Sequence, residues 1–154
     1  MSKAKQKGTS AHPLMGDRAN EQPNSGRTSH LIGSVGDGHF IAWASVQGWH
    51  LYRGFDGHSP CDYIADDGVN LLRVEVKRIE SVQHTHNNYY YVTITDYDPG
   101  FFDYIFVSTP RGWYWIPSNA CPRKTLSIKV VGDVYDRNIT RPGKYEPYRI
   151  ETVA

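Results

Sequence analysis

The feature that most constrains the fold is a predicted β-hairpin near the middle of the chain. Two apolar segments, residues 61–65 and 70–78, flank the sequence Asp66-Asp67-Gly68. Asp-Gly between two such segments is a strong signal for a tight turn that joins antiparallel strands. The chain therefore contains a β-sheet, and the rest of the fold must be built around this strand pair.

The second strand of the hairpin has two chemically different faces. Because side chains alternate across a strand, three apolar residues share one face and three charged residues share the other. The two sets are Leu72, Val74 and Val76, and Arg73, Glu75 and Lys77. A strand in the middle of a chain is usually covered on both faces, so the charged row favours a functional site over a simple wet surface. Asp62 begins the partner strand, where hairpin pairing can bring its carboxylate near Glu75.

Asp62, Glu75 and Lys77 are the candidate catalytic residues. Two carboxylates and a carbonyl oxygen form a partial set of the oxygen ligands that Mg2+ prefers. A bound divalent ion lowers the pKa of a water molecule and neutralises charge on a phosphate. A neighbouring lysine can hold the attacking water or stabilise the phosphate in the transition state. This set of groups is the one that hydrolysis of a phosphodiester needs, with Mg2+ as the cofactor and Mn2+ as a substitute.

The same residues carry a resemblance to a known superfamily. Pro60-x-Asp62, followed after twelve residues by Glu75-x-Lys77, resembles the PD-(D/E)XK nuclease motif. The similarity extends over about residues 33–120. The segments that carry it are Gly36-Asp37, Gln47-Gly48-Trp49, Ser59 to Ile64, Leu71 to Lys77, Phe102 to Val107 and Trp113 to Pro117. The chain resembles a compact branch that includes endonucleases associated with group I introns and is close in build to Holliday junction resolvases.

The resemblance implies a fold and a role for each site residue. The fold is α/β, a restriction-endonuclease-like core with a mixed central sheet and an N-terminal helix. Asp62 and Glu75 bind the metal with the main-chain carbonyl of Val76 as a third ligand, and Lys77 serves the nucleophile. Family members usually carry a Glu in the first helix, after a Gly. Asp37 stands there in this chain, one methylene shorter, so we expect it to reach the metal through a water molecule.

The remaining sequence divides into three regions. Residues 1–29 are polar and rich in Gly, Ser, Asn and Lys, which predicts a disordered basic arm. Residues 30–135 form the nuclease domain, and residues 136–154 an irregular C-terminal tail with two prolines. Apolar residues recur at helical spacing over 34–47, and Gly48 follows as a stop. Further strands are predicted near 49–52, 89–97, 103–108 and 113–116, and 126–131 is a strand or a short helix.

The charge does not decide whether the chain binds nucleic acid. The net charge is +1 and the pI is near 7.8, but a basic groove beside an acidic metal site gives the same total. The residues predicted to contact DNA are Arg53, Arg73, Arg78, Gln83 and His84. His84 and His86 have no third ligand at a convincing spacing, so we favour a loop over a zinc site.

The sequence therefore predicts a Mg2+-dependent DNA endonuclease similar to the intron-associated homing type. Two alternatives stay open: a Holliday junction resolvase with the same active site, acting on a four-way junction instead of a duplex, and a non-catalytic DNA-binding module on a nuclease fold. One site per chain predicts a homodimer or homotetramer. No apolar run approaches the roughly 20 residues that span a bilayer, and the two cysteines lack metal-type spacing, so we expect a cytoplasmic protein with reduced thiols.

Overall fold

The computed structural model describes residues 25–54, 59–80, 89–94, 100–129 and 143–153. Within these ranges the chain forms one α-helix, eight strands and two short 3₁₀ turns. The helix α1 is Ser25–Val46, and the strands are β1 His50–Arg53, β2 Tyr63–Asp66, β3 Leu71–Arg78, β4 Tyr89–Thr93, β5 Tyr104–Thr109, β6 Gly112–Pro117, β7 Thr125–Lys129 and β8 Arg149–Ile150. The 3₁₀ turns are Ser118–Ala120 and Glu146–Tyr148.

The C-terminal end of α1 is where the sequence predicts it. Gly48 has φ +77°, in the left-handed region where glycine is favoured. Its N–H donates to the Ser45 carbonyl at 3.0 Å, and the Trp49 N–H donates to the Ala44 carbonyl at 3.0 Å. This pair of hydrogen bonds satisfies carbonyls that the helix itself leaves unpaired.

The N-terminal end of α1 differs from the prediction. The apolar spacing predicted a helix from about residue 34, with its first turns weakened by the low helix propensity of Gly33, Gly36 and Gly38. The helix instead begins at Ser25, so the last five residues of the predicted arm are helical; the rest of the arm lies outside the described residues. Gly36 is buried against β3, and packing of this kind outweighs intrinsic propensity.

The predicted hairpin is present. β2 and β3 pair antiparallel, with Tyr63 opposite Val74. The connecting turn contains Gly68 at φ +87°, and the Asp67 carboxylate accepts a hydrogen bond from the Asn70 N–H at 2.6 Å. The turn chemistry thus fixes the register, which in turn decides which residues of β3 face each side.

Six strands form a mixed sheet in the order β1-β2-β3-β5-β6-β8. β3 and β5 run parallel, and the other neighbouring pairs are antiparallel. β8 pairs with β6 through Trp113 and Ile150, so the prediction of an irregular tail over residues 136–154 is wrong for Arg149–Ile150. A strand of two residues shows no alternation from which it could be predicted. The segment that was left as strand or helix is a strand, β7.

The sheet is covered on both faces. On one face, Phe40 and Trp43 of α1 pack against Val74, Val76 and Phe106. On the other face lies a separate two-stranded sheet, β4–β7. The buried residues of this small sheet are Tyr90, Val92, Leu126 and Ile128. They pack in one core with four residues of the main sheet, Ile105, Val107, Tyr114 and Ile116. Charged side chains on β3 are therefore held inside the protein or at the end of the sheet.

Two further expectations concern the environment of the chain. Across the described ranges, no helix combines the length and the apolar character that crossing a membrane requires. Cys61 and Cys121 are free thiols, and burial raises the pKa of Cys121 to about 11.

Candidate active site

Asp62 lies immediately before β2 and interrupts the hairpin ladder. Its N–H donates to the Val74 carbonyl at 3.0 Å, and its carboxylate accepts a hydrogen bond from the Val76 N–H at 2.8 Å. The carboxylate thus replaces the main-chain acceptor that a longer β2 would supply. The register that pairs Tyr63 with Val74 places Asp62 alongside Glu75, as the sequence predicts.

The carbonyl of Val76 faces the same edge of β3 as the Asp62 carboxylate. Peptide groups two residues apart on a strand point to the same edge, and the Val74 carbonyl already bonds to Asp62. The carboxylate and the Val76 carbonyl therefore lie side by side where β2 leaves the sheet. They border a pocket of about 430 Å³. Its charged lining consists of Asp37, Arg53, Asp62 and Lys77.

Glu75 and Lys77 form a short ion pair beside this pocket. The Lys77 Nζ lies 2.6 Å from the Glu75 Oε1. The Glu75 side chain is 4% exposed and the Lys77 side chain 29%, so the carboxylate is buried, while Lys77 also lines the pocket. A buried carboxylate is costly without a counter-charge, and Lys77 provides it. Glu75 and Lys77 therefore lie on the face of β3 that alternation predicted to carry charges, with Glu75 buried and Lys77 partly exposed.

Asp37 lies on α1 across the pocket from Asp62. Arg53 Nη2 donates to the Asp37 Oδ2 at 3.0 Å, and the Arg53 guanidinium lies 5.4 Å from the centre of the Tyr63 ring. The Asp37 carboxylate is thereby held toward the pocket from the β1 side. This agrees with the placement of Asp37 near the site that the resemblance implied.

Tyr63 is a site residue that the sequence reasoning missed. Its hydroxyl is buried and interacts with the Asp37 carboxylate, although no group in the described part of the chain meets it with full hydrogen-bond geometry. Burial, and then the charge of Asp37, raise the pKa of Tyr63 to about 12, so the group remains a protonated donor. In the sequence, Tyr63 is one aromatic residue of a strand, and alternation assigns it only to the core.

The donor set fits a hard divalent cation that retains water ligands. Asp62 and Val76 offer adjacent oxygens at the pocket, and the Tyr63 hydroxyl can bind a water molecule. Glu75 precedes Val76 on β3 but does not line the pocket, and its carboxylate is paired with Lys77. In the ranges that the structure describes, no group of three or more His, Cys, Asp or Glu side chains could hold a metal by itself. Mg2+ is usually bound by one or two carboxylates and keeps several water ligands. A site with few protein ligands, among them a main-chain carbonyl, therefore suits it better than a closed cage of side chains.

The predicted DNA-contacting residues fall in different places. Arg53 lines the pocket, with a side chain 63% exposed. Arg73 lies away from it: its guanidinium donates to the Asp103 carboxylate at 2.8 Å and to the Gly100 carbonyl. The hydrogen bonds from Arg73 lower the pKa of Asp103. This geometry gives Arg73 a structural role, which is to tie β3 to the residue before β5.

Arg78 lies at the contact between α1 and β3 and does not line this pocket. Its Nη1 donates to the Ser108 hydroxyl at 2.9 Å, and its side chain is 11% exposed. Gln83 and His84, which were also predicted to contact DNA, lie outside the described residues. Of the predicted set, Arg53 alone is therefore found at the pocket in the part of the chain that the structure describes.

Comparison with known proteins places the fold. No protein-family model matches the chain, and no curated protein matches its sequence. Among solved structures, the bacterial homing endonuclease I-Ssp6803I superposes with a TM-score of 0.61 at 20% identity, over 79% of this chain and 86% of that one. Hjc, a Holliday junction resolvase from Archaeoglobus fulgidus, gives a TM-score of 0.46 at 18% identity, over 63% of this chain and 83% of that one.

The likeness to the homing endonuclease establishes the class of fold. The helix, the antiparallel hairpin and the parallel partner strand of this chain form an α/β fold like that of the homing endonuclease. The predicted α/β architecture, with a mixed central sheet and an N-terminal helix, is confirmed.

Proposed function

We propose that this protein is a Mg2+-dependent DNA endonuclease that hydrolyses phosphodiester bonds in the pocket bordered by Asp62 and Lys77. The observation that carries the proposal is the 2.8 Å hydrogen bond from the Val76 N–H to the Asp62 carboxylate. This bond fixes the Asp62 carboxylate next to the main-chain carbonyl of Val76, the residue that follows the buried Glu75. Such an arrangement is suited to an ion that keeps part of its water shell.

Metal binding and activation of the nucleophile are assigned to different residues of the site. The carboxylates of Asp62 and Glu75 and the carbonyl of Val76 would hold Mg2+. When bound, the ion supplies a water of lowered pKa and positive charge near the phosphate. Lys77 pairs with Glu75 and lines the pocket, where it orients the attacking water and stabilises the negative charge that develops on the phosphate oxygens.

Asp37 acts through a water molecule in this proposal. Its carboxylate is held by Arg53 at 3.0 Å, and the Tyr63 hydroxyl beside it meets no group of the described chain with full hydrogen-bond geometry. A water between the two groups would accept a hydrogen bond from the Tyr63 hydroxyl and donate one to the Asp37 carboxylate. Arg53, exposed at the pocket mouth, provides a charge for a phosphate of the DNA.

Cleavage of supercoiled plasmid by the purified full chain tests the proposal. We expect nicked and linear products with Mg2+ or Mn2+ and none with EDTA. Asp62→Asn should remove cleavage, since it removes the charge at the ion site. Asp66→Asn is the matched control: it is the same substitution at the opposite end of β2 from Asp62, and the Asp66 carboxylate accepts a hydrogen bond from the Gly68 N–H of the turn at 2.9 Å. It should cleave like the parent.

The outcomes separate the proposal from its alternatives. Equal cleavage in EDTA, or undiminished cleavage by Asp62→Asn, would reject the active site. Binding of DNA without cleavage in either metal would identify a non-catalytic module. A synthetic four-way junction, offered beside a duplex of the same arms, distinguishes the substrates, since cleavage of the junction alone would identify a resolvase.

We also propose that the active protein is a homodimer or homotetramer. One core carries one site, so a double-strand break needs at least two copies. Sedimentation of the full chain with and without duplex DNA measures this. A monomer that linearises plasmid in a single binding event would contradict the proposal.

A further inference from the structure

A second groove, of about 920 Å³, lies at the same end of the sheet as the catalytic pocket. Its walls come from α1, the end of β3, the turn between β5 and β6, and β8. The residues that matter for its chemistry are His39, Arg78, Arg111, Gly112 and Arg149. Three arginines against two glutamates, Glu146 and Glu151, give the charged lining a net charge of +1. The Arg78 guanidinium also lies 3.4 Å from the carboxylate of Glu80, which is outside the lining.

Arg78 and His39 are fixed by one buried hydroxyl. Arg78 Nη1 donates to the Ser108 Oγ at 2.9 Å, and His39 Nδ1 lies 2.8 Å from the same oxygen. Arginine can only donate, so the Ser108 oxygen accepts from it and turns its O–H toward His39 Nδ1. The neutral His39 ring then carries its proton on Nε2, as a further donor at the groove. Stacking on Trp113, with ring centres 4.8 Å apart, holds the ring in place.

Arg149 is held in a similar way across the groove. Its Nη2 donates to the Arg111 carbonyl at 2.6 Å, and its Nη1 lies 3.2 Å from the Glu146 Oε1. The guanidinium lies against Gly112, where an added Cβ would come within 2.9 Å of Arg149 Nε. Guanidinium groups fixed in this way lose little conformational freedom when an anion binds.

The position of the groove suggests which anion. Arg78 follows Lys77 directly in β3, and the groove reaches β8, three strand spacings away, or about 14 Å. A DNA duplex carries one phosphate charge per roughly 1.7 Å of axis when both strands are counted, so a duplex that lies along this stretch presents a few phosphates on the side that faces the protein. A duplex seated at the catalytic pocket therefore brings several phosphates to the groove. Planar guanidinium groups are well matched to phosphate oxygens.

We infer that this groove is a phosphate-binding site that holds the backbone of the same DNA duplex that is cut at Asp62 and Lys77, with Arg78, Arg111 and Arg149 as its cations. The inference rests on the proposed function for its ligand. It adds Arg111 and Arg149 to the DNA-contacting surface, and it places Arg78 in a site separate from the catalytic pocket.

Binding of a fluorescent 20-base-pair duplex to the full chain in EDTA, at several salt concentrations, tests the inference. Arg111→Gln and Arg149→Gln should each raise Kd by about tenfold. Each should also lower the slope of log affinity against log salt by about 0.9, the value for one phosphate contact. Arg123→Gln, at an exposed position before β7, is the matched control and should leave both quantities unchanged.

Folding of each variant is checked by thermal unfolding. Arg149→Gln removes contacts between β8 and the β5–β6 turn, so Arg111→Gln, at the exposed tip of that turn, provides the second, structurally milder variant. Parent-like Kd and salt slope in Arg111→Gln and in a folded Arg149→Gln would overturn the inference even if the parent cuts DNA. Weakened binding in these variants, together with a parent that cuts no DNA in Mg2+ or Mn2+, would keep the groove and reject the nuclease.

A mononucleotide distinguishes the source of the phosphate. Deoxyadenosine monophosphate offers a single phosphate and therefore a single weak contact. It should compete with the duplex only weakly. Tight mononucleotide binding that Arg149→Gln removes, with duplex binding unchanged, would show a nucleotide pocket and contradict a DNA-backbone site.

Discussion

Replacement of Gly36 by alanine tests how α1 is seated on β3. A Cβ at Gly36 would lie 2.9 Å from the Arg78 Cβ and 3.6 Å from the Val76 Cγ1. The Arg78 Cβ is fixed to the backbone, so the helix or the strand must move, at a cost of about 1–3 kcal/mol for an overpacked contact. Alanine recovers about 0.8–1.0 kcal/mol through its higher helix propensity. Gly38 has nothing within 4 Å of its added Cβ, and Gly38→Ala therefore shows the propensity gain alone.

The two variants should differ by the overpacking cost. We expect Gly36→Ala to unfold with about 1–3 kcal/mol less free energy than Gly38→Ala, or roughly 2–12 °C lower in Tm. Urea and thermal unfolding of both variants measure the gap. Because Gly36 precedes Asp37, Gly36→Ala should also cut plasmid more slowly than Gly38→Ala. Equal stability of the two variants, or a more stable Gly36→Ala, would refute the close approach of α1 to β3.

Three further predictions concern stability, cleavage and metal binding. Hydrogen bonds from Arg73 lower the pKa of the Asp103 carboxylate, so the ionised group stabilises the fold at neutral pH. This contribution is lost as the pH falls below the pKa of an ordinary Asp, about 3.9. Asp103→Asn should therefore cost about 1 kcal/mol at pH 7, a figure discounted for the partial exposure of the pair, and should approach the parent in acid; a constant gap at every pH would contradict the assignment. Tyr63→Phe removes the buried hydroxyl that faces the Asp37 carboxylate, so cleavage in Mg2+ should slow; parent-like cleavage would show that the hydroxyl has no part in the site. Mg2+ should raise the Tm of the parent and of Asp66→Asn but not that of Asp62→Asn, and an equal rise in all three proteins would place the ion elsewhere.

The hairpin and the faces of β3 were predictable because both follow from local rules. An Asp-Gly turn between alternating segments defines the pairing, and the pairing defines which side chains share a face. Glu75 and Lys77 are accordingly on one face and Val76 on the other. The burial of Glu75 was less accessible to sequence reasoning, since it depends on how elements distant in the chain pack around β3.

Asp62 was predicted to approach Glu75, but the way in which it does so was not. Its carboxylate accepts a hydrogen bond from the Val76 N–H in place of a strand residue, and β2 accordingly begins at Tyr63, two residues later than the apolar pattern indicated. Strand ends depend on such side-chain substitutes for main-chain bonds, and these leave little trace in periodicity. The position of Asp37 came from resemblance alone, and the structure places it at the same pocket.

The groove between α1 and β8 could not be predicted. Its arginines lie at positions 78, 111 and 149, in separate elements, and β8 is too short for its pairing to be read from sequence. Tyr63 was missed for a different reason. Its ring fills the core like any strand aromatic, and only the position of its hydroxyl near the Asp37 carboxylate distinguishes it.

Comparison of Lys77→Ala with Lys124→Ala tests the central claim most directly. Lys77 contacts Glu75 at 2.6 Å beside the pocket, whereas Lys124 is exposed before β7. Single-turnover cleavage of a bound duplex in Mg2+ should fall by about 100-fold or more in Lys77→Ala, with duplex binding in EDTA within about threefold of the parent, as expected for one partly exposed charge. Lys124→Ala should match the parent in both. Parent-like cleavage by Lys77→Ala would contradict the assignment of this pocket as the active site.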